Sequence, residues 1–119
     1  MYRIRIEDTF DAAHNLRNDP GSCRNLHGHT YRVRVEFLCR ELDEMGMAID
    51  FRVAKPALRK VLERLDHNYI NELPEFAEQN PTAENIARFI YNEIKPEIPE
   101  LCSVTLWETP TSSVIYTED

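Results

Sequence analysis

The segment YRVRVEF, residues 31–37, alternates apolar and charged side chains at every position. Successive side chains of a β-strand point to opposite faces of a sheet, so this period of two predicts a strand with one buried and one solvated face. The segment YRIRIEDTF, residues 2–10, begins with the same alternation. A loop of about 15 residues is expected to join the two strands, so we expect an antiparallel pair whose connection is long enough to carry function.

Two helices are predicted after this pair. Asp50 is a candidate N-cap of the first helix, and Thr82 is a candidate N-cap of the second. Apolar residues then recur at helical spacing, at Val53, Leu58, Val61, Leu62 and Leu65 in the first helix and at Ile86, Phe89, Ile90 and Ile94 in the second.

The C-terminal part of the chain predicts two more strands, over residues 103–109 and 113–117, around a turn at Pro110. The element order is therefore ββααββ. This order predicts an α+β fold with an antiparallel four-stranded sheet and two helices on one face.

Length and composition limit the class of protein. The 119 residues contain no repeat or linker-like tract, so we expect one domain over residues 1–119. No apolar run suits a signal peptide or a membrane span, so we expect a cytoplasmic protein without membrane contact. The net charge of −7 argues against binding nucleic acid, although residues 1–40 carry seven arginines against five acidic residues and could attract a small anion.

The stretch CRNLHGH, residues 23–29, carries the strongest chemical signal. His27 and His29 share one face of extended backbone, and His14 can join them from the adjacent strand. Three imidazoles with an open fourth position are typical of catalytic zinc, so we predict Zn²⁺ at His14, His27 and His29. Two alternatives stay open: the His-Gly-His pair could lie unliganded at the surface, or Cys23 could be the fourth ligand of a closed structural site. All three cysteines are expected to be free thiols.

Two carboxylates are further candidates. Asp66 and His67 follow the first helix as an Asp-His pair that could relay a proton, although His67 could instead cap the helix C-terminus.

Glu108 shares strand parity with Val104 and Leu106, so it could face the buried side and pair with the adjacent N–H donors of a pterin or guanine. In the alternative, Trp107 faces the core and Glu108 faces solvent.

Six motifs in order resemble the superfamily of 6-pyruvoyltetrahydropterin and 6-carboxytetrahydropterin synthases. They are FDAAH (10–14), CRNLHGH (23–29), GMAIDF (46–51), LDHN (65–68), PTAEN (81–85) and WET (107–109). The resemblance implies the tunnelling fold (T-fold), assembled as trimers that stack into a homohexamer. It also implies active sites between subunits, so that Asp66 and His67 could serve the zinc of a neighbouring chain.

The three residues between Cys23 and His27 resemble the carboxytetrahydropterin branch, which belongs to queuosine biosynthesis. The resemblance implies a lyase that converts 7,8-dihydroneopterin triphosphate to 6-carboxy-5,6,7,8-tetrahydropterin, acetaldehyde and triphosphate. It implies Cys23 as the base, Asp66 and His67 as a relay, and Glu108 as the pterin anchor.

Thr82 matches a pterin-pocket segment, although its role as a helix cap explains it equally well. Arg17, Arg24 and other N-terminal arginines are candidates to meet the triphosphate.

A pyruvoyl-type synthase with the same fold is a rival, and a non-catalytic zinc-binding assembly module is another.

Overall fold

The computed structural model describes residues 1–119, whose alternating segments form long strands. In chain order the elements are β1 (Tyr2–His14), β2 (His27–Cys39), α1 (Phe51–Leu65), α2 (Ala83–Ile94), β3 (Leu101–Thr109) and β4 (Ser112–Tyr116). The strands form one antiparallel sheet in the order β1-β2-β3-β4. This is the predicted ββααββ arrangement, and both helices pack on the sheet to give the T-fold.

The core lies between the sheet and the helices. Tyr31, Val33, Val35 and Phe37 of β2 are fully buried, and their charged neighbours lie on the other face of the sheet. The solvated face holds ion pairs between adjacent strands, such as Arg34 with Glu7 at 2.7 Å. The two-residue period therefore assigned both faces of β2 correctly.

Helix α1 begins as predicted and buries four of the five residues of its predicted stripe. The Asp50 side chain accepts a hydrogen bond from the Arg52 backbone N–H at 2.8 Å, which confirms the N-cap. Val53 was expected in the buried stripe, and this expectation was wrong because Val53 is 54% exposed. The buried stripe instead starts at Ala54 and continues through Ala57, Leu58, Val61, Leu62 and Leu65. Val53 lies one position, about 100° around the helix, away from that stripe.

Helix α2 has the predicted cap and the predicted buried residues. Thr82 Oγ1 accepts from the Asn85 backbone N–H at 3.1 Å, and Ile86, Phe89, Ile90 and Ile94 are buried. Strand β3 begins two residues before the predicted start, at Leu101, and ends at Thr109 as predicted. Strand β4 lies one residue earlier than predicted, at Ser112–Tyr116. No helix is long and apolar enough to span a membrane.

Candidate active site

Three histidines converge at the end of the β1-β2 hairpin. His14 lies opposite His27 in the strand register, and His29 follows two residues later on the same face. The ring centroids lie 4.5 Å apart for His14 and His27, 5.1 Å for His14 and His29, and 5.0 Å for His27 and His29. One ring nitrogen from each lies within 4.8 Å of the others, which brings three potential metal ligands to one point.

Backbone carbonyls fix the orientation of two of these rings. Nδ1 of His14 lies 2.7 Å from the Pro81 carbonyl oxygen, and Nδ1 of His27 lies 2.7 Å from the Asn25 carbonyl oxygen. A carbonyl oxygen only accepts, so Nδ1 carries the proton in both rings and the lone pair is on Nε2. Such contacts commonly orient histidines that bind metals.

The remaining nitrogens lack partners inside the protein. Nε2 of His14 and Nε2 of His29 are both buried, and neither has a hydrogen-bond partner. Burial lowers the pKa of both imidazoles, which favours the neutral form that binds a metal. Three converging imidazoles, two of which have an orphaned nitrogen, fit a zinc ion that keeps an exchangeable position.

Glu108 lies on the same side of the sheet as this group. Its Oε1 atom is 3.2 Å from His29 Nε2, but the two atoms are not aligned for a hydrogen bond. The Glu108 side chain is 31% exposed, so it lies at the edge of the core and not in fully apolar surroundings. Trp107 lies on the opposite face, where the Arg32 guanidinium stacks 4.0 Å from its ring centroid. The alternative with Trp107 in the core and Glu108 in solvent is therefore wrong.

An open cavity of about 500 Å³ is lined by His29 and Glu108 together with residues of the solvated face of the sheet, including Thr30, Arg32 and Trp107. Cavities of this size accept small organic ligands. A heterocycle with adjacent N–H donors could place them against the Glu108 carboxylate, while the rest of the molecule reaches His29.

Cys23 lies near this region without joining the three histidines. It belongs to the single turn Ser22–Arg24, its thiol is free and exposed, and its carbonyl accepts from the Leu16 backbone N–H at 2.7 Å. The thiol is not among the ligand atoms that converge within 4.8 Å. The geometry of the chain therefore does not favour Cys23 as a fourth metal ligand.

Arg17 holds the loop between β1 and β2 in place. Its guanidinium donates to the backbone carbonyls of Gln79, Asn71 and Phe76 at 3.0, 3.2 and 2.8 Å. These contacts occupy the side chain, so Arg17 has a structural role. The candidates for contact with a substrate anion are then the other N-terminal arginines.

Three groups hold the Asp66 carboxylate in place, and one of them belongs to β1. Its carboxylate accepts from the Asp11 backbone N–H at 2.9 Å and lies 3.3 Å from Arg59 Nη2 and 3.1 Å from His67 Nδ1. The Asp11 N–H contributes most to lowering the Asp66 pKa, and the charges of His67 and Arg59 add to it. Asp66 therefore stays ionised and can orient the His67 ring.

His67 turns out of the helix instead of continuing it. Asp66, not His67, is the C-cap residue of α1, and His67 has a positive φ of 59°. Its backbone N–H donates to the Asp11 carbonyl at 2.6 Å, and its side chain is 79% exposed. His67 and His29 line one open cavity of about 540 Å³. The exposed ring is thus available to a ligand or to another subunit.

Thr82 is adjacent to Pro81, whose carbonyl contacts His14. The Thr82 hydroxyl already accepts from Asn85, but its own proton remains available for donation. The beginning of α2 is therefore joined directly to the histidine group.

Sequence reasoning missed Tyr31 and Arg59. Tyr31 is fully buried beside His29, its hydroxyl has no partner, and burial raises its pKa, with the nearby Glu108 charge adding to the effect. Strand parity could have indicated Tyr31, because residues 27, 29 and 31 share one face of β2. Nothing in the sequence indicated that Arg59 would reach Asp66, since that contact depends on how α1 packs.

Comparison with known proteins identifies the family. The model of the 6-pyruvoyl tetrahydropterin synthase family matches residues 3–119. The chain belongs to this family. The match covers both helices and all of the sheet except Tyr2, so it includes every candidate site residue described above.

Individual members of the family are similar over almost their whole length. The 6-carboxy-5,6,7,8-tetrahydropterin synthase of Haemophilus influenzae is 38% identical over 141 residues, covering 99% of this chain and 100% of that protein. The enzyme of the same name from Synechocystis is 38% identical and covers 98% of this chain and 93% of its own. The structure of Caenorhabditis elegans 6-pyruvoyl tetrahydropterin synthase has a TM-score of 0.91 at 27% identity, covering 99% and 96% of the two chains.

Proposed function

We propose that this chain is a zinc-dependent 6-carboxy-5,6,7,8-tetrahydropterin synthase of queuosine biosynthesis. The reaction is the lyase conversion of 7,8-dihydroneopterin triphosphate and one water molecule to 6-carboxy-5,6,7,8-tetrahydropterin, acetaldehyde and triphosphate. The observation that carries the proposal is the convergence of His14, His27 and His29 beside Glu108. The names of the relatives from H. influenzae and Synechocystis support this product over others.

Glu108 would anchor the pterin ring. A pterin presents a 2-amino group and an N3–H side by side, and an ionised carboxylate can accept from both in parallel. Because Glu108 Oε1 lies 3.2 Å from His29 Nε2, a ring held at Glu108 would place its side chain near the histidines. Thr82, next to the Pro81 carbonyl that holds His14, would add a hydroxyl contact to the pterin.

The Nε2 atoms of His14, His27 and His29 would hold the zinc ion. When bound there, zinc supplies a positive charge that draws electron density from a side-chain oxygen of the substrate and so acidifies the neighbouring C–H bond. The fixed Nδ1 protons of His14 and His27 prepare the rings for this role before any metal arrives.

Cys23 and the Asp66–His67 pair would move the protons. The exposed Cys23 thiol would act as the base that removes the acidified proton. Asp66 would hold His67 Nδ1 at 3.1 Å, leaving Nε2 free to exchange a proton at the substrate or at the thiol.

The pterin synthase sites would lie between subunits of a homohexamer. Strand β1 and strand β4 are the two edges of the sheet, so their outer backbone groups can pair with another chain. The 79% exposure of the His67 side chain suits a residue that completes the site of a neighbour.

Product analysis tests the proposed reaction. The zinc-loaded protein is incubated with 7,8-dihydroneopterin triphosphate, and the products are separated and identified by mass spectrometry. Formation of 6-carboxytetrahydropterin and acetaldehyde supports the proposal. The similarity to the C. elegans enzyme makes 6-pyruvoyltetrahydropterin the specific rival product, and its formation would replace the proposal.

If the protein binds zinc but forms neither product, that result would instead favour a non-catalytic zinc-binding module. The exposed position of Cys23 outside the three histidines argues against such a closed site.

A further inference from the structure

Three buried polar side-chain atoms have no hydrogen-bond partner, and all three lie in one place. They are Nε2 of His14, Nε2 of His29 and the hydroxyl oxygen of Tyr31. A metal accounts for the two imidazole nitrogens, because each offers a lone pair. It leaves the Tyr31 hydroxyl without a partner.

The Tyr31 ring is fixed beside the histidines. It stacks on Phe10, its partner in the strand register, with ring centroids 4.7 Å apart and an angle of 10° between the planes. Its edge contacts are with His29 at 5.4 Å and His14 at 6.0 Å between centroids. The residue is 0% exposed, so bulk water is not the partner of the hydroxyl.

Packing alone does not account for the hydroxyl. Phe37, on the same face of β2, and Phe10, against the Tyr31 ring, are equally well buried and carry no polar atom. An unpaired hydroxyl in such surroundings lowers stability relative to phenylalanine. Its partner is therefore to be sought in the ligand that the site takes up.

We infer that the Tyr31 hydroxyl donates a hydrogen bond to a side-chain oxygen of the bound pterin, at the end of the substrate that reaches the histidines. This inference rests on the proposed function. The ring of the pterin is assigned to Glu108, so Tyr31 would recognise the hydroxylated side chain and not the heterocycle.

The variant Tyr31→Phe tests the inference, because it removes one oxygen and keeps the stacked ring. Dissociation constants are measured on zinc-loaded protein for 7,8-dihydroneopterin, which has the hydroxylated side chain, and for 7,8-dihydropterin, which lacks it. We expect the constant for dihydroneopterin to rise about tenfold, as for the loss of one hydrogen bond, and the constant for dihydropterin to stay unchanged. We also expect unchanged zinc content and a metal-free melting temperature at or above that of wild type.

Tyr91→Phe is the matched control. Tyr91 is buried away from the histidines, and its hydroxyl has a partner in the Leu101 carbonyl at 3.5 Å. This variant should bind both pterins as wild type does.

Four results would overturn the inference. Unchanged dihydroneopterin affinity in Tyr31→Phe would show that the hydroxyl does not contact the side chain. Equally weakened binding of both pterins would show that the Tyr31 hydroxyl affects recognition of the heterocycle. Loss of zinc would show that the hydroxyl supports the metal ligands. If the wild-type protein binds neither pterin, both the proposed function and the inference fail. If wild type binds and only the variant departs from expectation, the inference alone fails.

Discussion

Nδ1 of His14 lies 2.7 Å from the carbonyl oxygen of Pro81, a residue 67 positions away in the sequence. This contact joins the last residue of β1 to the segment that begins α2. It occupies one nitrogen of the His14 ring and leaves the other for a metal. The position of α2 and the orientation of a metal-binding histidine are therefore coupled.

Thr82→Ala should lower the free energy of unfolding by about 1 kcal/mol, because it removes the side chain that accepts from the Asn85 N–H. Thr82→Asn keeps a strong capping residue and should restore most of that stability, which urea denaturation measures. If the Thr82 hydroxyl also contacts the pterin, Thr82→Asn will remain weak in dihydroneopterin binding. Full binding by this variant would limit Thr82 to its role as a cap.

Glu108→Gln should weaken pterin binding by roughly 10- to 100-fold, since an amide presents one acceptor oxygen and no charge to a pair of donors. Folding should change little because the side chain is 31% exposed. Calorimetric titration with dihydroneopterin measures the effect, and Glu41→Gln, at an exposed site, is the control. Unchanged affinity would remove Glu108 from the pterin site.

Local patterns in the sequence predicted the parts of the fold that have local causes. The two-residue period of β2 and the Thr82 cap follow from neighbouring residues alone. Val53 was wrongly expected in the buried stripe of α1, because the side of a helix that meets the sheet depends on packing across the whole chain.

The same division applies to the candidate site. Strand parity brings His27 and His29 together, and a hairpin brings in His14. The contact of Pro81 with His14 and that of Arg59 with Asp66 could not be predicted, because both depend on the packing of the helices on the sheet. Tyr31 was missed because an alternating apolar residue is ordinarily explained by the core alone.

Cys23→Ala separates the roles of base and metal ligand. If Cys23 is the base, the variant should keep its zinc, bind dihydroneopterin and lose turnover by about 10²–10⁴. Cys39→Ala, at a cysteine outside the site, is the control and should keep activity. Joint loss of zinc and thermal stability would identify Cys23 as a ligand, and full activity would shift the role of base to His67.

Asp66→Asn should lower stability in a pH-dependent way. The pKa of Asp66 is lowered in the folded protein, first by the Asp11 N–H and then by the charges of His67 and Arg59. A carboxyl with a lowered pKa stabilises the fold above its unfolded pKa, near 3.9, and that contribution is lost as the pH falls through the folded value.

The stability difference between wild type and Asp66→Asn should therefore be largest near neutral pH and shrink below about pH 4. Urea denaturation at several pH values measures it. Glu97→Gln, at an exposed carboxylate, should show little difference at any pH. A difference for Asp66→Asn that persists unchanged in acid would mean that its charge does not hold the pair together.

The zinc content of His27→Ala tests the central claim most directly. His27 contributes a ring nitrogen to the group of three, whereas His67 lies in a separate group with Asp11 and Asp66. Elemental analysis of the purified, zinc-loaded proteins should give one zinc per chain for wild type and for His67→Ala, and a small fraction of that for His27→Ala, with the helical circular dichroism of all three unchanged. Full zinc occupancy in His27→Ala would contradict the account.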